Sequence, residues 1–364
     1  MHPSNYLLIF IFLFSLISGE IRKSIISCSN ELKSLFHFFL ATITVSALSV
    51  YFNGISGVGY LIETHIIAST LGIMTYICSE KHKGIIKDTI LIFILLNSML
   101  AFVEFFFHRH LIGYPQYTTA SFFRSSAFLG HPLDNALITA SAFFFIFSTK
   151  WNLTIKLLSS FFYEASLLCY GARTAVVISS ITITIFLVVS FFKGFRKKTK
   201  YLELSAFIFF ALIISLILFI LIHDFGFGKR IFALDLFDES GAVRIKLFDI
   251  FHYVTNRELL TGISQTNIST LSTSLVGIQV IENFWVLFII LLGVPLGIFF
   301  IFFFVKMLFS LIYKQKLTSQ LAAFTFILIA SSNNSLASKS VSLTIIILLL
   351  VTSFQSKKEY NRTR

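Results

Sequence analysis

Arg173 follows Tyr170-Gly171-Ala172 between two apolar runs, and Arg244 follows Ser240-Gly241-Ala242-Val243. A guanidinium on a tight, glycine-containing turn is held rather than free, which suits a two-pronged grip on phosphate oxygens. The plainer account of Arg173 is a cation snorkelling at a membrane interface. Arg244 falls in a first helical turn, where the macrodipole favours anions. It gains there only by sharing an anionic ligand with helix-terminal amides, or else it is a solvated surface residue. Arg124 and the run His131-Pro132-Leu133-Asp134-Asn135 form a second cluster. Pro132 fits a first helical turn, so Asp134 lies just inside an apolar segment, where ionisable groups face a cavity or a partner. Glu282 and Asn283 stand where the longest polar loop returns to an apolar run, and Lys339 sits between two serines. Glu282 is placed to take a proton from a hydroxyl, or simply to be an acid at a helix start. Arg173, Arg244 and Glu282 are thus the candidate catalytic residues. Arg124, His131, Asp134, Asn283 and Lys339 are candidate substrate contacts. No phosphate-binding glycine loop, His/Cys metal cluster or serine-nucleophile elbow is present, so the reaction is expected to need no metal, nucleotide or other cofactor.

The elements that position these residues are membrane helices. Apolar residues make up 56% of the 364 and charged ones 13%, with 46 Phe, more hydrocarbon than a soluble domain can hide. The segments run roughly 5–19, 35–52, 58–79, 89–107, 133–148, 153–169, 174–192, 201–222, 283–305, 318–336 and 341–354, about eleven spans. Counted from the basic cluster Lys193 to Lys200, 20 of the 29 Lys and Arg fall in loops on one side, the positive-inside pattern. The net charge of +12 is therefore a topology signal rather than a nucleic-acid surface. The N-terminus is expected outside and the C-terminus in the cytoplasm. The first segment has no basic residue ahead of it, and is expected to be a retained span rather than a cleaved signal. Cys28, Cys78 and Cys169 show no metal or redox spacing, and no structural disulfide is expected.

The expected fold is a single all-α integral membrane domain over 1–364, with one large extracytoplasmic loop at 223–282. Within that loop Val243, Leu247, Ile250, Phe251 and Val254 recur at helical spacing, predicting an amphipathic helix from Ser240 that lies on the membrane. Leu260-Thr261-Gly262-Ile263 breaks it, and a second helical stretch is expected near Ser269 to Ile281. The shorter loop, His108 to Pro132, carries Arg109, Tyr114, Pro115, Tyr117, Arg124 and His131. Asp88, Glu63 and Glu104 lie in or near spans with no evident role.

In chain order, Arg124-Ser125-Ser126-Ala127-Phe128-Leu129-Gly130-His131-Pro132, Tyr170-Gly171-Ala172-Arg173-Thr174, Gly241-Ala242-Val243-Arg244 and Glu282-Asn283-Phe284 resemble the O-antigen ligase and Wzy-type polysaccharide polymerase superfamily. Ser335-Leu336-Ala337-Ser338-Lys339 is similar to its exopolysaccharide-polymerase branch. The resemblance covers about residues 120–345. It implies an inverting glycosyltransferase of the bacterial inner membrane that polymerises undecaprenyl-diphosphate-linked oligosaccharides at the periplasmic face. Arg173 and Arg244 match the arginines that grip the diphosphate in that family. Its implied partners are membrane lipids, a chain-length regulator and a flippase. Ligases of the superfamily carry His-Asn where this chain has Glu282-Asn283, a departure from the ligase pattern. A ligase and a lipid-linked oligosaccharide flippase remain the alternatives.

Overall fold

The structure is a computed structural model, which describes residues 3–18, 29–55, 58–112, 123–194, 247–274 and 281–354. Arg244, the expected span at 201–222, the cluster Arg196 to Lys200, and Tyr114, Pro115 and Tyr117 lie outside the described residues.

Among the described residues every regular element is helical. The α-helices are α1 (Pro3–Ile17), α2 (Asn30–Asn53), α3 (Ile67–Ile77), α4 (Glu80–Phe107), α5 (Pro132–Ile146), α6 (Leu153–Tyr170) and α7 (Arg173–Gly194). They continue with α8 (Asn256–Thr261), α9 (Gln265–Ser274), α10 (Phe284–Leu292), α11 (Val294–Ile312), α12 (Leu317–Ala330) and α13 (Ser342–Thr352). A π-helical stretch, Leu61–Ile66, leads into α3, and short 3-10 turns cover Leu247–His252 and Ser335–Ala337. Among the described residues four helices, Asn30–Asn53, Glu80–Phe107, Arg173–Ser190 and Val294–Ile312, are long and apolar enough to cross a bilayer. This fits an all-helical membrane protein, since helices satisfy their backbone groups internally in hydrocarbon.

The chain divides into two compact units. One holds α1 to α3, α8 to α11, α13 and the beginning of α4. Here α2 lies along α11, with Phe38 packed on Phe300 at 5.6 Å and on Phe304 at 5.8 Å between ring centroids. The other holds α4 from Asp88 onward, α5, α6, α7 and α12. There α5 is buried at every position from Asn135 to Ile146, and Ala136, Ala140, Ser141 and Ala142 give the small surface that lets helix backbones approach. Polar side chains cross-link the helices: the Tyr163 hydroxyl donates to the Leu91 carbonyl (2.6 Å), Ser179 donates to the Glu164 carboxylate (2.7 Å), and Thr325 donates to Thr182 (3.1 Å).

The expected span 283–305 is instead two helices meeting at Gly293 (φ 78°). Phe288 stacks edge-on against Phe300 at 4.9 Å, and Phe284 against Phe304 at 6.2 Å. Each step back along α10 thus matches a step forward along α11, so α10 runs antiparallel to it. A side chain at Gly293 would lie 2.5 Å from the Leu260 carbonyl oxygen, and one at Gly262 2.2 Å from that of Leu291. Only two glycines permit that backbone contact, and both sit at positive φ. Consequently Glu282 and Asn283 are not at the head of α11. They lie beside its middle, near Phe304, about 15 Å along it at 1.5 Å per residue.

The loop helices also differ from expectation. The amphipathic α-helix expected over 240–254 is, where described, a 3-10 turn from Leu247 to His252 that buries Leu247 and Ile250. The second stretch begins earlier, at Gln265, and Ile281 is not helical. Gly262 (φ 82°) ends α8, where the sequence places a break.

Candidate functional site

Glu104 lies in the last turn of α4 with its side chain fully buried. A buried carboxylate must be paired or saturated with hydrogen bonds. Here its Oε2 accepts from the Ser125 hydroxyl (2.6 Å), Ser126 N–H (3.0 Å) and Ala127 N–H (2.9 Å). Its Oε1 accepts from the N–H groups of Leu111 (3.0 Å) and Ile112 (3.4 Å). One side chain therefore gathers both described flanks of the short loop. Ala127 is held at φ 41°, a left-handed conformation that a non-glycine residue keeps only when its surroundings over-determine it.

Asn97, two turns earlier on α4, completes the frame. Its Oδ1 accepts from Phe128 N–H (2.9 Å), and its Nδ2 donates to Asn135 Oδ1 (2.8 Å) and the Tyr170 hydroxyl (3.0 Å). Asn135 in turn donates to the carbonyls of Ser126 (2.6 Å) and His131 (3.1 Å). His131 thereby becomes the N-cap position of α5, followed by Pro132 and by a half-buried Asp134 in the first turn.

Arg124 meets the turn between α6 and α7. Its Nε–H donates to the Tyr170 carbonyl at 2.9 Å, and its aliphatic stem covers Gly171, where a side chain would lie 3.4 Å from Arg124 Cγ. Gly171 is left-handed (φ 61°) and ends α6, while Arg173 opens α7 two residues later. Arg124, an expected substrate contact, thus lies against the turn that opens on Arg173, an expected catalytic residue. His131 and Asp134 belong to the same end of this unit. Arg244, expected to act with Arg173, lies outside the described residues.

Glu282, Asn283 and Lys339 belong to the other unit. Asn283 Oδ1 caps α10, accepting from Trp285 N–H (3.0 Å) and Val286 N–H (3.2 Å). Phe284 N–H donates to the Asn333 carbonyl (3.1 Å), so the donors at this helix start are engaged by protein. Glu282 is half-buried just before the cap. Lys339 Nζ pairs with Glu63 Oε1 at 3.2 Å. Glu63 lies on the π-helical stretch, whose Thr64 donates to the Ser338 carbonyl (2.6 Å) and accepts from Ser340 N–H (3.0 Å), while His65 Nε2 contacts the Leu336 carbonyl at 2.7 Å. Such one-turn π insertions recur at functional sites.

Among the described residues no group of three His, Cys, Asp or Glu side chains is placed to hold a metal ion. Sequence reasoning did not single out Asn97, His110 or Glu164, and assigned Glu104 and Glu63 no role. For Asn97, Glu104 and Glu164 the available signal was a polar or ionisable residue inside an otherwise apolar span, which marks a partner even when none is in view; His110, in the loop beyond Phe107, carried no such signal. The chain matches no family model, no curated protein and no solved structure.

Proposed function

We propose that this protein transfers glycosyl groups from a lipid-linked diphosphate, joining undecaprenyl-diphosphate-linked oligosaccharides into a surface polysaccharide at the extracytoplasmic face of the bacterial inner membrane. The observation that carries this reading is the placement of Arg124 over the Gly171 turn that opens on Arg173. In the proposed reaction the two guanidinium groups, with Arg244, neutralise the diphosphate as the anomeric C–O bond breaks. Arg124, whose Nε–H is already engaged by the Tyr170 carbonyl, is set before the reaction and stabilises developing charge without reorganising. An acceptor hydroxyl attacks the anomeric carbon from the opposite face, and a base takes its proton. Glu282 is the base suggested by the sequence.

Purified protein in liposomes, given lipid-diphosphate repeat units and no nucleotide, should yield a ladder of lengthening glycans. Absence of any transfer would sink the reading. Transfer of a single glycan to a different lipid acceptor would instead make the protein a ligase. The reversal of α10 at Gly293 favours a second reading, since discontinuous helices line the substrate paths of many transporters. Movement of the lipid-linked sugar across the vesicle without chain growth would establish that reading in place of the first.

A further inference from the structure

We propose that His110, not Glu282, is the proton acceptor of the Arg124 and Arg173 site; the proposal rests on the glycosyl-transfer reading and names its base. The His110 ring packs at a tilt of 32° against Phe123, the neighbour of Arg124, with centroids 4.8 Å apart. Its Nδ1 lies 2.9 Å from Ser126 Oγ. Ser126 has one hydroxyl proton, and that proton is directed to the Ile112 carbonyl at 3.2 Å. The serine oxygen therefore accepts from Nδ1–H, and this selects the tautomer whose Nε2 carries a bare lone pair. That Nε2 is buried and has no hydrogen-bond partner among the described residues, on a side chain only 6% exposed.

Behind the ring stands the carboxylate that builds the loop. Glu104 Oε2 lies 3.9 Å from Nδ1, so positive charge developing on the imidazole faces a buried negative charge. The arrangement of oriented imidazole, tautomer-fixing hydroxyl and backing carboxylate follows the logic by which a histidine base is prepared in a hydrolytic triad. In the transfer step the acceptor O–H bond breaks and its proton goes to Nε2. The freed oxygen pair forms the new bond to the anomeric carbon, and the old C–O pair departs on the diphosphate. His110, Glu104, Arg124 and Arg173 all lie in one compact unit. Base and leaving-group clamp then move as one body. Glu104 is a positioning residue in this scheme, and His110 a catalytic one.

The test uses the full chain in liposomes with lipid-diphosphate repeat units. His110→Gln should lower kcat by about 100-fold or more, the usual share of a general base, with KM and binding of undecaprenyl diphosphate unchanged. In His110→Ala, added imidazole should restore part of the turnover, which a purely structural loss would not allow. Ser126→Ala, a smaller change, should lower kcat about tenfold by releasing the tautomer. Turnover of His110→Gln within about threefold of the unaltered protein, with the large loss carried by Glu282→Gln, overturns the proposal and leaves glycosyl transfer standing. Loss of diphosphate binding without imidazole rescue overturns it as well, in favour of a structural role. No transfer by the unaltered protein overturns both readings together.

Discussion

Arg124 donates from Nε to the carbonyl of Tyr170 across 2.9 Å, so a side chain from one loop caps the helix that ends at another. The last carbonyls of a helix lack partners within it, and a cation there also complements the macrodipole. The contact fixes the direction of the guanidinium. Arg124→Lys should not replace it, because an ammonium is a point charge without the planar fork. Transfer should fall by about 100-fold in Arg124→Lys or Arg173→Lys, a loss typical for one preorganised donor. Both proteins should remain membrane-inserted at normal abundance. Glycan ladders and membrane-fraction immunoblots measure the two halves of that expectation, and wild-type ladders from either variant would refute it.

Gly171 tests whether the turn or the charge matters more. Its left-handed φ of 61° makes Gly171→Ala cost about 1 kcal/mol. The added methyl would press on Arg124 at 3.4 Å, so activity should fall further than stability does. In an Arg124→Ala background the additional activity loss should vanish, because the residues act through one contact. Thermal unfolding in detergent and turnover, measured across the four combinations, decide the matter. Additive activity losses would mean the two do not communicate.

The backbone contact between the ends of α8 and α10 makes a sharper demand. Gly262→Ala and Gly293→Ala each place a methyl about where the other segment's backbone lies, at 2.2 Å and 2.5 Å from carbonyl oxygens. Gly54 has a comparable φ of 76° but nothing within 4 Å, which makes Gly54→Ala the matched control. The control should lose on the order of 2 kcal/mol from strain alone. The other two should lose monodisperse protein in detergent chromatography. Equal behaviour of all three would show that the end of α8 does not meet the end of α10.

Orientation is open to a direct chemical test. Cys78 is exposed beyond α3, and Leu111 is exposed beyond α4. The charge pattern puts these positions on opposite faces. In variants carrying a single cysteine, a membrane-impermeant maleimide applied to intact spheroplasts should label Leu111→Cys but spare Cys78 until the membrane is opened. The reverse labelling would invert the topology and move the Arg124 and Arg173 turn to the cytoplasm.

Much of the helical pattern was legible from residues alone. The expected segments 133–148, 153–169 and 174–192 correspond to Pro132–Ile146, Leu153–Tyr170 and Arg173–Gly194. Their ends are written locally, in Pro132 at a helix start and Gly171 at a helix end. The segment 283–305 misled because Phe284 to Phe304 is one nearly unbroken apolar run. Hydropathy sums along the chain and carries no sign of a reversal. Among site residues, Arg124, His131 and Asp134 were visible as clustered charge, whereas His110 and Asn97 read only as isolated polar residues.

Composition by itself pointed to helices in lipid, and basic-loop alternation to the face on which the remaining arginines are expected. Those are local properties that add up along a chain. The tertiary structure alone decided that Arg124 lies against the turn ahead of Arg173, in a loop gathered by Glu104, which reaches Ser125 and Ala127 from more than 20 positions away. It also decided that the end of α10 meets the end of α8, where Gly293 and Gly262, 31 positions apart, leave room for the backbone contact. Burial forces such pairings, since a carboxylate or an open backbone in an apolar interior must find its partners wherever the fold places them.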